Sequence, residues 1–207
     1  MIAFHNLTYM VICMSDVVLF VFRFSLFVVV HSILALPSLK RQCAEWNGHL
    51  RRFYRLYYNF VSLALFGWVM AALRNSAVLY VVPGVWSLVL YFMQMVFLII
   101  LFACVRQTGV AEFLGISRPA SDDLKTPKLV ANGWYRVVRH PMYLFSMLFL
   151  LSNPVINVRW LLLTLISAVY FVVGALLEES RLLQEFGSEY QAYQRTVPFM
   201  LPRIFTL

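Results

Sequence analysis

Charge is scarce in this chain of 207 residues: 13% are Asp, Glu, Lys or Arg, about half the share typical of soluble domains. That scarcity excludes an ordinary soluble fold. There is no Gly-x-Gly-x-x-Gly stretch, so a soluble dinucleotide-type site is not expected. No Gly/Ser-rich linker or internal repeat divides the chain, and a single domain over 1–207 is expected. The three cysteines, Cys13, Cys43 and Cys104, have no metal-ligand spacing. Their odd number argues against a disulfide framework, and no metal is expected. Cys13 and Cys104 fall in or near apolar blocks and read as small buried hydrophobes.

What is abundant is hydrocarbon. Hydrophobic residues make up 62% of the chain, gathered in blocks near the ~20 residues that cross a bilayer core as a helix. Backbone groups in lipid must be satisfied within their own segment, so the blocks are expected to be helical. The first runs from about Asp16 to Leu36; with no Lys or Arg in residues 1–15, it reads as a retained span rather than a signal peptide. The second covers about Tyr57–Leu73, and the third about Gly84–Cys104, opened by Pro83-Gly84. A polar stretch, 105–134, follows. Apolar sequence resumes at Pro141, breaks at Ser152-Asn153-Pro154 and continues from about Val158 to Leu177. The piece 141–152 is too short to cross alone at ~1.5 Å per residue; it starts nearer Tyr135 or fails to cross fully. Asn153-Pro154 reads as the tight turn of a helical hairpin. The fold expected is all-α and polytopic: five transmembrane helices, the last two a hairpin, then a cytoplasmic C-terminal helix.

The net charge of +8 follows the membrane and forms no single patch, so lipid headgroups, not nucleic acid, are the expected partners. Lys40, Arg41, Arg51, Arg52 and Arg55 separate the first two blocks; Arg106, Arg118, Lys125, Lys128, Arg136 and Arg139 separate the third and fourth; Arg181, Arg195 and Arg203 follow the fifth. Five spans put these fourteen of seventeen basic residues on one face, which the positive-inside rule makes cytoplasmic. The N-terminus is then outside and the C-terminus inside.

Two polar clusters flank the hairpin. Asn132 to Tyr143 contains Trp134, Tyr135, Arg136, Arg139 and His140; the return carries Glu178-Glu179-Ser180-Arg181, then Tyr190 and Tyr193. Both lie at one membrane face, where cations and carboxylates pair and often mark a site. Arg136, Trp134 and Tyr135 taken alone read as interfacial anchors. Tyr91, Phe92, Met93, Met95 and Phe97 read as packing or lipid contact.

The pattern Gly133-x-Tyr135-x-x-x-Arg139-His140-Pro141-x-Tyr143, Glu178-Glu179-x-x-Leu182, Phe186-Gly187-x-x-Tyr190-x-x-Tyr193 and Val197-Pro198-x-x-x-Pro202 resembles the isoprenylcysteine carboxyl methyltransferase superfamily, with its phospholipid and thiol methyltransferase relatives. The match covers about 129–203. His31-Ser32 and Arg55-x-x-x-Asn59-x-x-Ser62 are similar to bacterial relatives near the thiol methyltransferases. The resemblance implies S-adenosylmethionine as methyl donor, bound by Leu129, Tyr135, Arg139, His140, Pro141, Tyr143, Glu178 and Glu179. Of these it gives Arg139, His140, Glu178 and Glu179 catalytic roles, and Glu178 and His140 are the candidate bases. It also implies acceptor contacts at His31, Arg55, Asn59 and Arg195, and a bacterial inner membrane with the active site on the cytoplasmic side.

One departure bears on the acceptor. Many carboxyl-methylating members have Arg immediately before Val-Pro; here Thr196 holds that place, and Arg195 is one residue early, turned ~100° on a helix. A small thiol or another lipophilic nucleophile then competes with a prenylcysteine carboxylate as acceptor. The alternatives are a nicotinamide-dependent membrane sterol or lipid reductase of related architecture, and a non-catalytic membrane protein that retains the pocket.

Overall fold

A computed structural model describes residues 2–46, 48–72, 76–114 and 128–202. Arg74, Arg118, Lys125, Arg203 and most of the polar stretch, 115–127, lie outside the described residues. The chain forms two compact units, Met1–Ala77 with Ala111–Ala120, and Val78–Val110 with Ser121–Leu207.

In the first unit, α1 (Ile2–Leu34), α2 (Pro37–Trp46) and α3 (Gly48–Met70) pack together. α1 and α3 run antiparallel, as their contacts count in opposite directions: Leu34 O accepts from the Tyr54 hydroxyl, His31 meets Tyr58 and Ser62, Phe27 meets Phe66, and Arg23 meets Trp68. Phe20, Phe24 and Val69 are the buried apolar residues of this seam. Arg23 lies within the apolar run of α1. Its guanidinium stacks 4.6 Å from the Trp68 ring, and Nη1 donates to the Trp68 carbonyl near the end of α3.

The second unit contains β1 (Val78–Val81), α4 (Val85–Thr108), a 3-10 turn at Gly133–Arg136, α6 (Pro141–Leu151), β2 (Val155–Asn157), α7 (Val158–Phe186) and α8 (Ser188–Thr196). The short α5 (Val110–Leu114) follows Gly109 at the junction of the units. α6 packs between α4 and α7, and α8 folds back on α7. Among the described residues three helices are long and apolar enough to cross a membrane: Ser15–Leu34 within α1, α4 and α7. Their surfaces stay apolar where they meet no protein, as at Phe92, Ile99, Val169 and Leu177, the expected dress of a lipid-facing helix.

Two expectations need correction, and one open alternative is narrowed. The fold is mostly helical but not all-α, because β1 and β2 form a two-stranded antiparallel sheet with Val81 opposite Val155 and Val78 opposite Asn157. Asn153-Pro154 therefore leads into a strand rather than closing a tight helical turn. The physical reason is backbone accounting: two apolar connections with unpaired N–H and C=O groups satisfy each other. Of the two alternatives for the fourth apolar segment, a helix that starts near Tyr135 is not the one that forms. α6 starts at Pro141, where the missing proline N–H costs nothing, and Tyr135 sits in the separate 3-10 turn.

Candidate functional site

The site grows from the start of α6. Proline at the first helical position starts the helix there, so Arg139 and His140 lie outside it and their backbone N–H groups are left to pair elsewhere. They donate to Pro198 O at 2.9 Å and Phe199 O at 3.2 Å. The segment after α8 is thereby strapped along the mouth of α6. Gly133 shapes the approach. Its φ of 57° is left-handed, and a Cβ there would overlap the Gln107 side chain.

Glu179 is the hub. Its Oε1 accepts from Arg139 Nε at 2.6 Å, from His140 Nε2 at 3.1 Å and from the Tyr190 hydroxyl at 3.3 Å; Oε2 accepts from Gln194 Nε2 at 2.9 Å. Arg139 goes further: Nη1 donates to Gln194 O at 3.0 Å and Val197 O at 2.7 Å. A cation on the last carbonyls of α8 complements the negative end of that helix. The Tyr193 hydroxyl donates to Tyr135 O, and Tyr190, Tyr193 and Val197 form a small core with Leu129, Leu182, Leu183 and Phe186.

His140 is buried at 4% exposure, edge-on to Phe199 with ring centroids 4.9 Å apart. Burial holds its pKa below the ordinary imidazole value, a push that Arg139 aids and that Glu178 and Glu179 oppose. The ring is therefore neutral at pH 7. Nε2 is the ring nitrogen within hydrogen-bond reach of a carboxylate, 3.1 Å from Glu179 Oε1, so the single ring proton is assigned to Nε2. Nδ1 then presents a lone pair, and 3.8 Å from it stands Glu178 Oε2. In that tautomer the two facing atoms are both acceptors. Burial also raises the pKa of Tyr135, and that of Tyr193 to about 12, so both phenols stay protonated at neutral pH.

The residues singled out from sequence separate by job. Arg139, His140, Glu178 and Glu179 come together. Pro141 is buried at the start of α6; Tyr143 points to α7, its ring 5.7 Å from Phe171 and its hydroxyl against Gly174. Leu129 packs its side chain into the core under α8. Arg195 is exposed on α8 and joins none of these contacts. His31, Arg55 and Asn59 belong to the first unit. There His31 Nδ1 lies 2.9 Å from Ser62 Oγ and Nε2 lies 2.7 Å from the Tyr58 hydroxyl; Asn59 donates to Phe113 O, and Arg55 is exposed. Gln194, Gln107 and Phe199 were not singled out. Gln194 stands one turn after Tyr190, a spacing that put both on the face toward Glu179.

Helices of membrane length carrying a closed polar site mark an integral membrane enzyme. A model of the phospholipid methyltransferase family matches residues 85–189, from the start of α4 to the first turn of α8. The chain belongs to that family and is a methyltransferase. It is 28% identical over 192 residues to methanethiol S-methyltransferase 2 of Bradyrhizobium diazoefficiens, covering 87% of this chain and 71% of the relative. It is 29% identical over 195 residues to the methanethiol S-methyltransferase of Pseudomonas deceptionensis, covering 87% and 70%. A third relative, methanethiol S-methyltransferase 1 of Bradyrhizobium diazoefficiens, is 37% identical over 78 residues, 38% of this chain and 26% of that one. These relatives do not favour the reductase reading. No solved structure matches the chain.

Proposed function

We propose that this chain transfers the methyl group of S-adenosylmethionine to a small thiol at the cytoplasmic face of a bacterial inner membrane, through a donor site within residues 129–203. The observation that carries this reading is the pair of facing acceptors, His140 Nδ1 and Glu178 Oε2, 3.8 Å apart. One nitrogen bearing several N–H groups fits both at ordinary hydrogen-bond length, and the α-ammonium of the methyl donor is such a group. Glu178 is half-exposed, so a ligand can reach it from outside. Arg139, Glu179, Gln194 and Tyr190 hold the frame through the hydrogen bonds that converge on the Glu179 carboxylate. Tyr143 and Phe171 offer aromatic faces of the kind that attract a sulfonium.

When bound, S-adenosylmethionine supplies a methyl carbon on a sulfonium leaving group, open to in-line attack by a thiolate. The protein's part is alignment and exclusion of water. His140, held neutral, keeps its Nδ1 lone pair for the ligand instead of a proton. The choice of a thiol over a carboxylate acceptor rests on Thr196, whose hydroxyl turns back to the Ala192 and Tyr193 carbonyls, and on exposed Arg195. Neither offers a carboxylate anchor. The methanethiol substrate in the relatives' names points the same way. The positive-inside distribution supports an orientation with Arg139, His140 and Glu178 at the cytoplasmic surface.

The test is labelled-methyl transfer by the purified protein to methanethiol, a prenylcysteine and an aminophospholipid, with Glu178→Gln and Glu179→Gln alongside. The thiol should be the methylated acceptor. Glu178→Gln should weaken donor binding about 10–100-fold, the span of one charge-assisted hydrogen bond, with thermal stability nearly unchanged. Glu179→Gln should lose activity and stability together, because it leaves Arg139 buried without its anion. Transfer to the prenylcysteine alone would sink the thiol assignment.

A further inference from the structure

α6 is short for an apolar helix. Eleven residues span about 16 Å, roughly half of a ~30 Å hydrocarbon core. Its last carbonyls are met by side chains rather than left to water. Leu148 O accepts from Ser152 N and Oγ at 3.0 and 2.7 Å, Phe149 O from Gln94 Nε2 at 3.1 Å, and Leu150 O from the Trp160 indole at 2.7 Å. Beyond them Pro154 O accepts from Val82 N, Val155 O from Asn153 Nδ2, and β2 pairs with β1. A helix end in water needs no such cover; one in lipid does.

Gln94 fixes the height. It is the tenth residue of α4, about 14 Å from that helix's first residue, and it is buried at 9% exposure in a stretch, 88–105, that holds no other amide and no charge. The carbonyl it reaches therefore lies well inside the length of α4, which is itself long enough to cross a membrane.

We propose that α6 is a half-membrane helix ending within the hydrocarbon, and that Gln94 is a positioning residue holding its inner end. A rigid helix pinned at one end is set in height at the other, where His140 caps it and Tyr143 leaves its first turn. Gln94 thus acts through α6 on the spacing between His140 Nδ1 and Glu178. Its effect on binding rests on the donor-site reading above; the depth of α6 does not.

Two measurements test this. Leu151 is 60% exposed at the end of α6, so its shielding, if any, comes from lipid. With Cys13, Cys43 and Cys104 replaced, a Leu151→Cys protein in vesicles should react with a membrane-impermeant maleimide, added to both sides, about ten-fold or more slower than a Lys128→Cys control. Reaction at the control rate would overturn the depth assignment, whether or not the protein binds S-adenosylmethionine. Gln94→Leu should raise the dissociation constant for S-adenosylmethionine about five- to ten-fold, the scale of one intramembrane hydrogen bond. In Gln94→Glu the ratio to wild type should return toward one as pH falls and the carboxyl gains a proton to donate. Gln94→Leu should show no such return. A Gln94→Leu protein with wild-type affinity would overturn the positioning role and leave the proposed function standing; a wild type without affinity for S-adenosylmethionine would remove both.

Discussion

His140 shows how one side chain takes its state from its surroundings. Burial disfavours the imidazolium more than the two carboxylates favour it, and the folded-state pKa falls below the ordinary value near 6.5. The sign follows: the unfolded chain binds a proton more readily, so this contribution to stability is whole above about pH 6.5 and is lost as pH falls through the lowered value. Acid should act twice, since a protonated Nδ1 would donate to Glu178 and close the place intended for an ammonium. We expect affinity for S-adenosylmethionine to fall on acidification below pH 6.5, and His140→Gln to flatten that dependence, as read by binding titrations from pH 5 to 8. The same scale shows where sequence stopped short. Glu178 and Glu179 were legible as a pair because carboxylates at the edge of hydrocarbon are costly unless paired. Their division of labour was not, because neighbours on a helix point ~100° apart and only the packed partners reveal which one Arg139 takes. Gln194 escaped for a plainer reason: an uncharged amide on an exposed-looking helix gives no signal until its carboxylate partner is in view.

Among the elements, α8 and the strap after it matter most to the site, because the Pro198 and Phe199 carbonyls hold the backbone of Arg139 and His140. The 3-10 turn at 133–136 supports them from the other side through Tyr135 O and the Tyr193 hydroxyl. Gly133→Ala should be disproportionately damaging here. It places a side chain at φ 57° and drives it into Gln107, a strain of about 1–3 kcal/mol, and we expect a lowered Tm in detergent with weakened donor binding. Gly84, also at positive φ but in open space, should tolerate alanine better; equal damage at both would show that conformation alone, and not the contact with Gln107, sets the cost. The long elements were read well because hydropathy in 20-residue blocks is a strong signal. β1 was not, since Val78-Leu79-Tyr80-Val81 is four residues long, apolar throughout and without alternation. A run like that belongs equally to the fringe of a helix until its partner strand, 74 residues further on, supplies the ladder.

At the scale of the whole molecule, the membrane organises the chemistry. Under the proposed function, an apolar acceptor partitions into lipid and the charged donor comes from water, so a site at the end of α7 would meet both. The basic residues predict that site on the cytoplasmic side, and tags at the C-terminus and at Lys128 should be protected in right-side-out vesicles and reactive in inverted ones. The reverse pattern would overturn the orientation while leaving the site intact. The central claim is narrower: His140 Nδ1 and Glu178 together hold the α-ammonium of the methyl donor. The most direct measurement compares S-adenosylmethionine with its analogue lacking the amino group, each titrated into wild type and Glu178→Gln. The account predicts a ten-fold or greater loss for S-adenosylmethionine in the variant and equal affinities of the two proteins for the analogue; equal losses for both ligands, or none for either, would contradict it.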